Sequence, residues 1–219
     1  AAFIYALEST GMIVPVGAWV IEAACRQMAE WARAGLGDIR VAVNVSSRQF
    51  RQPNFVETVE ATLRTNAMPA ECLELEITEG VLEDGADTVV DMLARLKSLG
   101  VRIAIDDFGT GYSSMSYLER LPFDTLKIDI LFIRKIRDDG EGGTIAATIA
   151  VMAHALGKKV VAEGAETQAQ VDFVRNLDCE LVQGYFYSRP LPGEEIAAFV
   201  SKRQVVETRS ALASAGLGG

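Results

Sequence analysis

The sequence predicts an α/β fold, a TIM-like (β/α)8 barrel of which about six strands lie in this chain. Two observations carry that expectation. Strand-like segments alternate strictly with helical ones along the 219 residues, a pattern that calls for a parallel sheet, open or closed. Within the strands, an apolar face opposes a polar one: Leu73, Leu75 and Ile77 against Glu74, Glu76 and Thr78, Val41, Val43 and Val45 against Ala42, Asn44 and Ser46, and Leu126 and Ile128 against Lys127 and Asp129. An open parallel sheet is covered by helices on both faces and is apolar on both. A barrel packs helices on its outer face only and can turn polar groups inward near its mouth. Such barrels close with eight strands. The chain starts in mid-pattern and without a methionine, so the two remaining strands are expected before Ala1.

Taken in order, the first helix is expected from about Val16 to Ala34. Ile21, Ala24, Cys25, Met28 and Trp31 fall at helical spacing, and Gly35 and Gly37 end it. A strand follows at 41 to 46. Asn54 with Glu57 forms a capping-box pattern ahead of a helix striped by Phe55, Val56, Val59 and Leu63. The next strand is 73 to 78, followed by a helix lined by Val89, Val90, Leu93 and Leu96 that stops at Gly100. The strand RIAIDD begins at Arg102 and ends on Asp106 and Asp107. Neighbours in an extended segment point to opposite faces, so both acids can aim at one site only if the strand has ended by Asp107. A short helix to Leu121 stops before Pro122, and a strand runs from Thr125 to Ile130. Thr144 is a candidate cap for a helix carrying Ile145, Ile149, Met152 and Leu156. The strand KKVVAE ends at Glu163, Thr167 is a candidate cap for a helix with Val171 and Val174 inward, and ELVQGYF is the last strand. A final helix covers about 193 to 203. One domain is therefore expected over 1–203, with 204–219, rich in Ala, Gly and Ser, as a frayed tail.

With 49% hydrophobic and 23% charged residues the composition is that of a soluble globular chain. A formal net charge of -9 argues against coating duplex nucleic acid, whose affinity comes largely from Lys and Arg on phosphates. A small anionic ligand fits if metal ions carry the positive charge. The three cysteines, Cys25, Cys72 and Cys179, are widely spaced in apolar or helical contexts, which favours reduced core residues and the cytoplasm. The apolar runs fall short of the roughly 20 residues that span a bilayer, and a membrane-anchored parent protein is compatible with that.

The polar members of the strands cluster at the end where barrel active sites lie. Around the ring they are Asn44, Glu76, Asp106 with Asp107, Lys127 with Asp129, Glu163 and Gln183. Carboxylates and amide oxygens are hard ligands suited to Mg²⁺, Mn²⁺ or Ca²⁺, and four formal charges are enough for two divalent cations. Lys127 among carboxylates is expected to stay protonated and to orient a water or meet a developing oxyanion, the alternative being a buried ion pair with Asp129. The single histidine, His154, sits late in a helix and suits packing or capping better than ligation. Two-metal oxygen sites perform in-line displacement at phosphorus. The rival on the same scaffold is proton abstraction next to a carboxylate, with a lysine base and carboxylate-held Mg²⁺. A kinase reading of DFG lacks its glycine-rich loop and strand lysine.

The runs AVNVSSRQF, LELEITEGVL, RIAIDDFGTGYSSMSYLERLPFDTLKID, VVAEGAET and LVQGYFYSRPLP resemble the EAL-domain family, the bacterial phosphodiesterases of cyclic di-GMP. The resemblance implies a TIM-like barrel whose first strand is antiparallel, and hydrolysis to linear pGpG that depends on Mg²⁺ or Mn²⁺ and is inhibited by Ca²⁺. It implies that Asn44, Glu76 and Asp106 bind one cation, with Asp106 bridging to a second held by Asp107 and Glu163. Lys127 would contact the attacking water and Glu163 help deprotonate it, while Glu166 and Gln183 complete the rim near the substrate. Glu79 would anchor the loop at Phe108, Gly109, Thr110 and Gly111 through Ser114, which in the family goes with activity and dimer-coupled regulation. A homodimer and attached GGDEF-type or sensory domains are implied in the same way. Glu79 and Glu166 as solvated loop acids are the plainer alternative.

The sequence departs from the family where the family is named. The Glu-Ala-Leu motif, which supplies a metal-binding glutamate and soon after it a phosphate-binding arginine, is absent, and Glu8, Glu22 and Glu30 all fall in the helical lead-in. Taken as a whole molecule, the chain would form an open barrel with the first cation short of a ligand. A catalytically inactive cyclic di-GMP receptor is therefore the alternative to the enzyme.

Overall fold

In the computed structural model, residues 2–36, 39–83, 86–110 and 115–202 are described. Six parallel strands, β1 (Val41–Val45), β2 (Leu73–Thr78), β3 (Arg102–Phe108), β4 (Thr125–Ile128), β5 (Lys159–Glu163) and β6 (Leu181–Gln183), pair in sequence order. The helices are α1 (Ala2–Thr10), α2 (Ile13–Arg33), α3 (Ser47–Phe50), α4 (Phe55–Thr65), α5 (Ala86–Ser98), α6 (Met115–Arg120), α7 (Ile130–Ile133), α8 (Thr144–Ala155), α9 (Gln168–Asn176) and α10 (193–202). Laid flat, six strands would put β1 and β6 roughly 24 Å apart at the usual strand spacing. Instead Ala42 near one edge and Leu181 to Gln183 at the other line a single cavity of about 360 Å³ together with Glu76, Lys127 and Val161. The sheet is therefore curled into an incomplete barrel, as the one-sided polarity of its strands predicts.

The apolar faces point outward into the core. Leu73, Leu75, Ile103, Ile105, Leu126, Ile128 and Val160 are fully buried under the helices, with Cys25 of α2, Val59 of α4, Leu93 and Leu96 of α5, and Ala153 of α8. Helix α2 starts three residues earlier than predicted. Pro15 falls in its first turn, where a missing N–H costs nothing. Two predicted caps fail. Asn54 precedes α4, but its backbone is not extended and its side chain makes no capping bond. Thr144 is the first helical residue of α8, and Gly143 holds the cap position without a side chain to offer. The buried face of α8 is Ala146, Ile149, Ala150 and Ala153, leaving Ile145 exposed. Thr167 does cap α9, in a reciprocal box with Gln170, and Val171 and Val174 are buried as expected. β6 is shorter than predicted, stopping at Gln183 before a turn. The predicted tail 204–219 lies outside the described residues.

Cys25, Cys72 and Cys179 form no disulfide with one another. Burial pushes the Cys25 thiol up to about 11 and the Cys179 thiol up to about 12, so neither is a thiolate at neutral pH. His154 lies in the last turn of α8, its Nε2 3.5 Å from Glu180 Oε2. No single described helix is long and apolar enough to cross a membrane.

Candidate metal centre

Strands β2 to β5 each bring one polar side chain inward at the carboxyl end of the sheet, and these meet at Lys127. Its Nζ lies 2.7 Å from Glu76 Oε1, 3.0 Å from Asp106 Oδ1 and 2.6 Å from Glu163 Oε1. Asp129, the alternative partner read from the sequence, does something else. It caps α7, accepting the Leu131 N–H at 2.6 Å, and hydrogen-bonds the Asp107 carboxyl. Lys127 is only 4% exposed. Burial alone would push its ammonium down, yet Glu76, Glu163 and Asp106 together hold it above its ordinary value, so it stays charged.

Asp106 and Asp107 reach the same site by a route not visible in the sequence. β3 does not end at Asp107 but continues to Phe108, and the pairing with β4 slips between Ile105 and Phe108. Asp107 sits at the slip with a φ of 53°. This left-handed bulge cancels the usual alternation. Asp107 donates its backbone N–H to Asp106 Oδ1 at 3.0 Å and accepts the Thr110 hydroxyl on its carbonyl at 2.8 Å. Carboxylate oxygens of Asp106, Asp107 and Glu163 consequently lie within 4.8 Å of one another. Oxygens sharing a Mg²⁺ or Ca²⁺ at its normal bond lengths are at most about 4 to 5 Å apart, so this set fits a divalent cation.

The charge balance points the same way. Burial raises Glu76 and Glu163 above the usual carboxylate range. Asp107 is pushed up to about 6, by burial first, then by the Asp106 charge and the hydrogen bond with Asp129. One ammonium does not neutralise this cluster. An acid with a folded pKa near 6 and an unfolded one near 3.8 stabilises the fold below pH 3.8 and loses that contribution as pH rises through 6. In EDTA, Asp107→Asn is therefore expected to gain in Tm on the wild type between pH 4 and pH 7. A difference in Tm that is flat over this range would contradict the assignment.

Of the residues predicted for the first cation, Glu76 turns to Lys127 rather than joining the other three carboxylates. Asn44 is exposed and stands beside Glu76 in the β1–β2 register. Glu79 is 4% exposed and no solvated loop acid, for its Oε2 accepts the Gly109 N–H at 3.2 Å. Phe108 is buried, while Gly111 to Ser114 lie outside the described residues. Glu163, Glu166 and Gln183 line a second cavity of about 550 Å³ at the same rim. Sequence reasoning passed over Arg134, which borders that cavity and pairs with Glu166 at 3.0 Å.

The family model of the EAL domain matches residues 1–190. The chain belongs to the EAL-domain family. MucR of Pseudomonas aeruginosa, described as a bifunctional diguanylate cyclase/cyclic di-GMP phosphodiesterase, is 42% identical over 199 residues, which cover 91% of this chain and 29% of MucR. The cyclic di-GMP phosphodiesterase NbdA of the same organism is 44% identical over 90% of the chain and 25% of its own length. This EAL domain thus spans between a quarter and a third of these relatives. A solved structure of the PaMucR phosphodiesterase in complex with c-di-GMP superposes with a TM-score of 0.85 at 42% identity, covering 89% of this EAL domain and 79% of that chain.

Proposed function

We propose that this EAL domain is a cyclic di-GMP phosphodiesterase that opens its substrate to linear pGpG by two-metal in-line displacement. The convergence of Asp106, Asp107 and Glu163 beside a charged, buried Lys127 carries the proposal. Descriptions of MucR and NbdA as cyclic di-GMP phosphodiesterases support it.

In this reading Asn44, Glu76 and Asp106 would hold one divalent cation, and Asp106, Asp107 and Glu163 would hold a second, with Mg²⁺ or Mn²⁺ supporting turnover and Ca²⁺ inhibiting it. Such a pair, when bound, supplies Lewis-acid stabilisation of the charge on attacking and leaving oxygens. Lys127 keeps its proton and orients the attacking water. Glu163, whose proton affinity burial raises, accepts a proton as the water oxygen bonds to phosphorus. The bond from phosphorus to the 3′-oxygen breaks, and that oxygen leaves as an alkoxide that takes a proton from solvent to become the 3′-hydroxyl. Glu166 and Gln183 contact the substrate from the wall of the larger cavity. Chromatography of cyclic di-GMP incubated with the protein in Mg²⁺, Mn²⁺, Ca²⁺ or EDTA tests this. Tight binding with no pGpG in any divalent ion would leave a receptor in place of an enzyme.

We also propose a homodimer, and GGDEF-type or sensory domains accompanying this one in the parent protein. MucR's bifunctional description and the unmatched length of the relatives support the second. For the first, Ile145, Thr148 and Val151 form an uncharged exposed face on α8. Copies of a chain with a net charge of -9 repel except across such a face. Sedimentation is expected to show a dimer that Val151→Glu dissociates. A wild type that sediments as a monomer would remove the proposal.

A further inference from the structure

Cyclic di-GMP carries two phosphodiesters, and only one is cut at a time. In the reaction proposed above the cut one meets the Asp106–Asp107–Glu163 cluster, and the other needs a positive partner on the same rim. Lys127 is not available, being 4% exposed and engaged by three carboxylates. The cavity of about 550 Å³ that Glu163 borders has two cations on its wall among the described residues, Arg134 and Arg189. The Arg189 guanidinium lies over the Tyr185 ring, 4.7 Å from its centroid, in a segment without regular structure.

Arg134 is differently placed. It ends α7, which is fixed at both ends and along its side. Asp129 caps the helix, Phe132 and Ile133 are buried, and Ile130 packs so closely on Gly164 that a Cβ there would fall 2.1 Å from Ile130 Cγ1. Gly164 has a φ of 72° and opens the loop from Glu163 to Thr167, so α7 and this loop are locked together. Arg134 Nη2 donates to Glu166 Oε1 at 3.0 Å. The Glu166 backbone is itself held by Gln170, whose Oε1 accepts its N–H at 2.7 Å. The ion pair is half exposed on both sides and contributes little to stability. A guanidinium has five N–H donors, and a phosphate offers it a charge-assisted, two-pronged contact.

We infer that Arg134 is a specificity-determining residue that receives the uncut phosphodiester of cyclic di-GMP; the inference rests on the hydrolysis proposed above. Glu166 holds the empty guanidinium in place.

The test compares cyclic di-GMP with bis(p-nitrophenyl) phosphate, which has a single diester, in wild type, Arg134→Gln and Arg134→Lys. Loss of a charged hydrogen-bond donor is worth about tenfold to a hundredfold in affinity. Arg134→Gln is expected to raise KM for cyclic di-GMP by about that factor, with a much smaller change in kcat. The loss of kcat/KM on the single diester should be at least fivefold smaller. Arg134→Lys should recover part of the affinity, and Tm should move little. A variant that loses both substrates equally, or neither, overturns the inference while leaving the hydrolysis standing. A wild type that neither binds nor cuts cyclic di-GMP overturns both.

Discussion

Replacing Lys127 with Met is expected to destabilise the protein by about 3 to 5 kcal/mol in EDTA, the usual cost of removing one partner from a buried charge cluster. Three carboxylates contact its ammonium, at 2.7, 3.0 and 2.6 Å, and Glu76 and Glu163 already sit above their ordinary pKa with Lys127 present. Without it they must be protonated or repel one another. The loss should shrink at low pH, where the carboxylates take up protons, and shrink again at neutral pH when Mg²⁺ replaces part of the lost charge. Urea unfolding in EDTA and in Mg²⁺ reads this directly. A Met variant as stable as wild type in EDTA would mean that the contacts around Lys127 carry no net stabilisation. Hydrolysis should be lost with or without Mg²⁺, because the group that orients the water is gone.

Glu163→Gln is expected to leave the fold standing while lowering kcat by roughly 10²- to 10⁴-fold, the range for loss of a general base. Gln keeps the volume of Glu and an oxygen for Lys127, so the 2.6 Å contact can persist as a hydrogen bond from the ammonium to an uncharged amide oxygen. What disappears is the proton acceptor and one of the three converging carboxylates. Cyclic di-GMP binding should survive better than turnover, so calorimetry and product analysis on the same variant separate the two roles. If the Gln variant turns over within threefold of wild type, Glu163 is not the base.

How much of this was legible in the sequence differs from element to element. β2 was predicted residue for residue, because LELEIT alternates without interruption and one slip would reverse its faces. The inner face of the barrel followed from the same alternation, so Glu76, Asp106, Lys127 and Glu163 were on the right side of their strands. Which of them touch was not readable, since the stagger between parallel strands sets it. The sequence accordingly places Lys127 among the rim carboxylates, with an ion pair to its near neighbour Asp129 as the alternative, and does not single out Glu76, Asp106 and Glu163 as the acids it contacts. Asp107 was hidden for another reason. Its φ of 53° is rare for residues other than Gly, although Asp tolerates it better than most, and nothing in RIAIDDF announces a bulge. Helix α7 has four residues, too few to show a helical period, and Ile130 read as the end of a strand. Its one usable signal was an Asp placed to cap a short apolar run. With α7 unseen, the pairing of Arg134 with Glu166 was unseen as well.

The central claim is that Asp106, Asp107 and Glu163 form a divalent-cation site, and titration of Mn²⁺ into the protein followed by electron paramagnetic resonance tests it most directly. Saturable binding in the wild type, competed by Mg²⁺ and lost in Asp106→Asn, is the predicted result. A wild type that leaves the free Mn²⁺ signal undiminished into the millimolar range, or an Asp106→Asn variant that binds Mn²⁺ as the wild type does, would contradict it.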